Sequence, residues 1–154
     1  MKRGFEMAKF VFKLQSILDI KLKLESQAKI AYGQANARLR REEAALQMLI
    51  TQRSAYEKRA VDLVNGTISI RDIKENKQSI DIMKTKIRAQ MMVVHTAEKQ
   101  VEAARLKLNE MMIERKTFEK LRERAFEEFK QEVAYEENQA VNELVSYTYH
   151  GEST

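Results

Sequence analysis

Residues 73–118 read IKENKQSIDIMKTKIRAQMMVVHTAEKQVEAARLKLNEMMIERKTF, and this stretch decides the fold. An apolar residue returns at every seventh position, and a second series follows three residues behind the first. Alternating spacings of three and four predict a coiled-coil seam, because they keep one side of a helix facing a partner. The first series is Ile73, Ile80, Ile87, Val94, Val101 and Leu108, and the second includes Met83, Ala97, Ala104, Met111 and Phe118.

The predicted partner of this stretch is an earlier part of the same chain. Residues 28–63 carry similar apolar series, and the strongest turn signal, Asn65-Gly66, separates the two. Capping-box patterns at Ser16 and at Ser69 predict the helix starts. We therefore predict an all-α fold in which two long helices form an antiparallel coiled-coil hairpin. Its parts are one helix over 16–64, a turn over 65–68 and a second helix over 69–147, in a single domain over 1–154.

The two predicted helices differ in length, so the second should project past the N-terminus of the first. Residues 1–7 and 148–154 are expected to be disordered. Tyr32, Gly33 and Ala35 together suggest a close approach of the helices at that point. Four polar residues interrupt the seam, where they either fix its register or are tolerated at half-buried edges without a special role. They are Glu42, Arg53, Asn76 and Gln90.

Composition argues against an enzyme. The chain has no cysteine and only two histidines, and no histidine–glutamate pair, Gly-rich loop or nucleophile motif has the spacing that catalysis or metal binding needs. We therefore predict no catalytic residue, no metal site, no cofactor and no small-molecule substrate. No apolar run approaches the roughly 20 residues of a membrane helix.

Charge is distributed unevenly along the chain. Residues 8–126 carry a net charge of +10, whereas residues 127–154 contain one lysine and seven glutamates, a net −6. The basic part leaves open a nucleic-acid-binding coiled coil, although its charge is spread rather than gathered at one end. A self-associating structural or adaptor rod is a second alternative. Beyond Phe118 an apolar stripe continues where the predicted first helix has ended, which indicates an interaction surface.

The stretch KFVFKLQSILDIK at 9–21, the Gly-containing turn and the stretch ERKTFEKLRER at 114–124 resemble the FliJ family of flagellar export proteins. This resemblance covers the chain from Met7. It implies a non-enzymatic coiled-coil stalk, similar to that of rotary ATPases, which binds and stimulates the hexameric export ATPase. It also implies coupling to the membrane export gate and an escort role for flagellar substrate chaperones.

Site residues follow from that resemblance. The protein is expected in the cytoplasm, peripherally associated with the inner face of the cell membrane, and without a nucleic-acid partner. Export-gate contact is expected at Ser79, Met83, Lys86 and Gln90. ATPase contact is expected at Phe10, Phe12, Leu14, Leu18, Leu121, Phe129, Val133 and Leu144.

Overall fold

In the computed structural model, which describes residues 9–152, the chain forms two long α-helices and, over that range, no β-strand. Helix α1 is Gln15–Val64 and helix α2 is Ile70–Glu152. The chain has no proline, the residue that breaks helices most strongly, so nothing interrupts either helix. The two helices pack against each other, which confirms the predicted all-α coiled-coil hairpin. The projection of α2 past the N-terminus stays a prediction.

The described residues form two compact units. Unit 1 contains residues 9–25 and 110–152, and unit 2 contains residues 26–109. Each unit pairs a segment of α1 with a segment of α2, so each has its own stretch of the seam. The single domain over 1–154 stays a prediction, and its expected disorder over residues 1–7 lies outside the described residues.

The seam of unit 2 follows the predicted spacing. On α2 a series of buried and half-buried residues runs from Ile73 to Leu108 at alternating intervals of three and four, and Ala97 is the least exposed, at 1%. On α1 the less exposed residues have the same alternation from Ala28 to Leu63. Burial of these apolar side chains holds the two helices together. The buried α2 positions are Asn76, Met83, Ile87, Val94 and Ala97.

Polar seam residues in unit 2 bond to the opposite helix. Asn76 Nδ2 donates to the backbone oxygen of Tyr56 at 2.9 Å. Gln90 Nε2 donates to both the backbone oxygen and the carboxylate of Glu42, at 3.0 and 2.7 Å. Buried amides cost free energy unless they are hydrogen-bonded, so these contacts favour the one register that satisfies them. Arg53 instead pairs within α1, with Glu57 at 2.9 Å.

One of the two predicted helix caps is correct. Ser69 lies just before α2, and its Oγ accepts a long hydrogen bond of 3.4 Å from the backbone N–H of Asp72. The prediction for Ser16 is wrong, because α1 already begins at Gln15 and Ser16 lies inside it. A backbone hydrogen bond from the Gln15 N–H to the Phe12 oxygen forms a turn directly before the helix. Asp19 therefore accepts from the Gln15 side chain, at 2.9 Å.

The predicted turn is present but does not use the conformational freedom of glycine. Residues 65–69 connect the helices, and no residue within 9–152 has a positive φ. The prediction that Gly33 takes part in a close approach of the helices is wrong. A Cβ added at Gly33 would meet nothing within 4 Å, because Gly33 lies on the exposed side of α1, whereas Tyr32 and Ala35 are half-buried.

Gly33→Ala is therefore expected to stabilise the protein. Alanine loses less backbone entropy than glycine inside a helix, and this site has room for the methyl group. We expect about 0.5–1 kcal/mol of added stability, which corresponds to a melting temperature about 2–4 °C higher. Thermal denaturation followed by circular dichroism at 222 nm measures it. A lower melting temperature would mean that Gly33 serves a contact that its exposure does not suggest.

Helix α2 continues past the predicted limit at Tyr147 and ends at Glu152. Thr148, which was expected to be disordered, lies in the helix and its Oγ1 donates to the Leu144 oxygen at 2.9 Å. No proline stops the helix here, and one glycine, Gly151, is a weaker breaker. Residues 153 and 154 lie outside the described part of the chain.

Candidate functional site

The base of the candidate site is the apolar core of unit 1. Phe12 and Leu18 are buried against the segment of α2 that contains Met111, itself buried. Leu14 is half-buried between them in sequence. Leu14 precedes Leu18 by four residues, which is a seam spacing, and Phe12 is buried two residues before Leu14. The stretch before Gln15 therefore extends the packed surface beyond the helix itself.

A partly buried ionic layer lies within this core. Arg115 Nε donates to the carboxylate of Glu25, which is itself buried, and Arg115 Nη1 donates to Glu119 at 2.8 Å. The hydrogen bond to Glu25 raises the pKa of Arg115, so the guanidinium stays charged. Lys21 and Glu114 form a second pair at 2.9 Å beside it. Charges at this depth need such partners to offset the loss of water.

An aromatic cluster stands next to the ionic layer. The Phe10 ring contacts Phe126 edge to face, with centroids 5.1 Å apart, and Phe129 at 5.6 Å. The guanidinium of Arg122 lies 5.4 Å from the Phe10 centroid, and its Nε donates to Gln15 at 3.0 Å. Edge-to-face rings and a cation over a ring both attract. Phe10 therefore attaches the residues before α1 to α2.

Past this cluster the described residues leave α2 exposed. Every residue from 134 to 151 is exposed, and six of the apolar ones among them are large. Leu144, Val145, Thr148 and Tyr149 together line one shallow surface depression. Solvent-exposed apolar groups on this scale are a common sign of a protein-binding surface. The exposed large residues are Tyr135, Val141, Leu144, Val145, Tyr147 and Tyr149.

The same segment is acidic. Between residues 127 and 152 the only cation among Lys and Arg is Lys130, which lies 3.5 Å from Glu127 and 4.7 Å from the Phe126 ring centroid. Glutamates around an apolar stripe keep the segment hydrated while it is unbound. They also favour a partner surface that carries positive charge.

The eight residues expected at the ATPase fall into three groups by their exposure. Phe12 and Leu18 are buried, so they support the site and offer little surface to a partner. Phe10, Leu14, Phe129 and Val133 are half-buried, whereas Leu121 and Leu144 are exposed. All eight lie in unit 1. Their role in binding stays a prediction.

The four residues expected at the export gate all lie in unit 2, and most are engaged within it. Met83 is buried in the seam, and Gln90 is bonded to Glu42. Ser79 is half-buried and donates to the backbone oxygen of Glu75 at 3.1 Å. Lys86 alone of the four is exposed. This set also stays a prediction.

Sequence reasoning did not select several residues of the site. Phe126 was missed although it precedes Phe129 by three residues, a spacing that places both on one helix face. Tyr149 was missed because the predicted helix ended at Tyr147. Val141 and Val145 were missed because the predicted stripe included only the residues in register with Phe129, Val133 and Leu144.

Within residues 9–152 no group of three or more His, Cys, Asp or Glu side chains could hold a metal ion. Neither helix of the described chain has a stretch long and apolar enough to cross a membrane. The exposed apolar surface of unit 1 is the candidate site.

Comparison with known proteins agrees with this geometry. The family model described as "Flagellar FliJ protein" matches residues 10–154, which is essentially the whole chain. No curated protein and no solved structure gives a significant match. The matched range includes both helices and the C-terminal segment of α2. The chain therefore belongs to the flagellar FliJ family and is a component of the flagellar export apparatus.

Proposed function

We propose that this protein is the non-enzymatic stalk of the flagellar export ATPase. Its exposed, acidic C-terminal segment, residues 134–151 of α2, would bind the hexameric ATPase and stimulate hydrolysis. The observation that carries the proposal is the set of large apolar side chains that unit 1 leaves exposed there. Burial of such side chains against a partner would supply the binding free energy.

The rest of unit 1 suits a support for that segment. Phe10 packs on Phe126 and Phe129, and the Arg115–Glu25 pair ties the helices just before them. A binding segment on a rigid support loses less conformational entropy when it meets its partner. We therefore assign Phe12 and Leu18 to the support and Leu144 to the contact surface.

The proposal also includes two further roles, which are coupling to the export gate and the escort of substrate chaperones. They rest on membership of the family, which supports a place among the export components. Lys86 is the gate candidate whose side chain is accessible to a partner. The protein would act in the cytoplasm, at the inner face of the cell membrane where the export apparatus assembles.

The test is stimulation of the purified export ATPase by the full-length protein. Leu144→Asp and Val145→Asp each place a charge on the exposed stripe, and we expect binding at least about tenfold weaker, with stimulation lost at protein concentrations that saturate the unaltered chain. Val61→Asp is the matched control, because Val61 is 58% exposed and Val145 is 62% exposed. Val61 lies in unit 2, so we expect this control variant to stimulate the ATPase as strongly as the unaltered chain does.

Both outcomes of this comparison are decisive. Full stimulation by Leu144→Asp and Val145→Asp would show that residues 134–151 do not form the ATPase contact. An equal loss in Val61→Asp would show that any added charge has the effect, and the assignment would fail for that reason. Circular dichroism of each variant confirms that its helix content is unchanged.

A further inference from the structure

A second apolar stripe runs along the outer side of α2 in unit 2. Its positions come two residues after the seam positions, which is about 200° around the helix, so they face away from α1. The outer side of a paired helix normally carries charged residues. Here Lys99 is the only charged residue at these positions between 82 and 106, a length of about 36 Å. The apolar members, which we call the outer stripe, are Ile82, Ala89, Met92, Ala103 and Leu106.

All five side chains of the outer stripe are exposed. Ile82, Met92 and Leu106 are large, and each has more than half of its surface accessible. Together with Thr85, Thr96 and Lys99 the five residues occupy a series of positions that alternates by three and four, as the seam does on the other side of the helix. The outer stripe thus has the pattern of a helix-binding face rather than of scattered apolar residues.

Two threonines fill gaps in the outer stripe, and their hydroxyls are already satisfied. Thr85 Oγ1 donates to the Asp81 oxygen at 3.2 Å, and Thr96 Oγ1 donates to the Met92 oxygen at 3.1 Å. Each threonine can therefore present its methyl group outward. A partner helix that covers this face would leave no hydroxyl donor unsatisfied, and the cost of removing water falls accordingly.

The charge beside the outer stripe is positive. Lys86, Arg88 and Lys107 flank it, are exposed, and have no ion-pair partner within the described residues. The neighbouring Glu102 is held by Arg105, which donates to it at 2.6 and 3.0 Å. These bonds lower the pKa of Glu102 and occupy its carboxylate. Asp81, beside Ile82, is also exposed and has no ion-pair partner within the described residues. Three free cations therefore flank the stripe against one free carboxylate, and this positive excess favours an acidic partner.

We propose that the outer stripe binds an acidic amphipathic helix of another protein. The partner helix would place apolar residues at three-and-four spacing on the stripe and carboxylates opposite Lys86, Arg88 and Lys107. Seam-type packing and flanking ion pairs are the two elements by which helices select each other. The proposal concerns unit 2 and does not depend on the ATPase function proposed for unit 1, since the ligands and variants of the two tests differ.

A labelled synthetic peptide tests the proposal. The probe is a helix of about four heptads with leucine at its seam positions and glutamate at the flanking positions, and its counterpart carries lysine instead of glutamate. We expect the full-length protein to bind the glutamate peptide in fluorescence anisotropy and to reject the lysine peptide. Met92→Asp should weaken binding at least about tenfold, because it places a carboxylate in the centre of the stripe.

Met48→Asp is the matched control for charge. Met48 lies on α1, is 65% exposed against 70% for Met92, and gives the same change of net charge. It should leave peptide binding within about twofold of the unaltered protein. No binding of the glutamate peptide, or equal binding by both variants, would overturn the proposal. Self-association in sedimentation that Met92→Asp abolishes would overturn it as well, since the occupant would then be a second copy.

Discussion

Ile87→Asp is expected to lower the melting temperature by about 10 °C or more. Ile87 is buried in the seam of unit 2, with 4% of its surface exposed. An aspartate at this position must either remain ionised without water or open the seam to hydrate itself. Both routes cost about 4 kcal/mol, which is among the largest effects of a single substitution. Circular dichroism at 222 nm during heating measures the loss.

Ile82→Asp is the control for this prediction, because it is the same substitution five residues earlier on the same helix. Ile82 is 53% exposed and its side chain faces away from α1. We expect its melting temperature to stay within about 2 °C of the original. Similar losses in the two variants would mean that helix propensity, rather than the seam, determines the stability of unit 2.

Arg115→Leu is the second substitution with a large expected effect. It removes the guanidinium that bonds to Glu25, whose side chain is only 6% exposed. The substitution removes one partner of a buried carboxylate, which destabilises more than the loss of a surface pair. We expect the melting temperature at pH 7 to fall by about 5–10 °C.

A double variant separates this mechanism from a loss of packing. Glu25→Leu combined with Arg115→Leu removes both charges, so most of the lost stability should return. No recovery of stability in the double variant would point to packing instead.

The exposed pair of Arg105 with Glu102 is a useful contrast. The hydrogen bond from Arg105 lowers the pKa of Glu102, so the pair stabilises the protein at neutral pH and its contribution is lost in acid, as Glu102 becomes protonated. Both side chains are about half accessible to solvent, and water and salt screen such a pair. Glu102→Gln should therefore change the melting temperature far less than Arg115→Leu does.

The heptad pattern made most of the fold predictable. Apolar residues at seam spacing must be covered, and a chain without proline can cover them by pairing its own two helices across the Asn65-Gly66 turn. The position of the turn and the seam residues from Ile73 to Phe118 were therefore evident from the sequence. The candidate site was partly evident, since residues beyond Phe118 keep an apolar stripe.

The partners of individual side chains were not predictable. The capping pattern at Ser16 does not mark the start of the helix, because the turn from Phe12 to Gln15 lies before it. Glu25 and Arg115 are 90 residues apart, and nothing in either local sequence marks them as a pair. Such contacts depend on the register of two helices, which small differences in packing select.

By itself the sequence determined that this protein is a pair of long helices with a basic body and an acidic C-terminal segment, because period and charge are properties of the chain alone. Only the tertiary structure decided which apolar residues are buried in the seam and which remain exposed. Phe12 and Leu144 have similar hydropathy, yet Phe12 is buried in unit 1 and Leu144 is not. The reason is that burial depends on what lies opposite each side chain, and that is set by the packing of the helices.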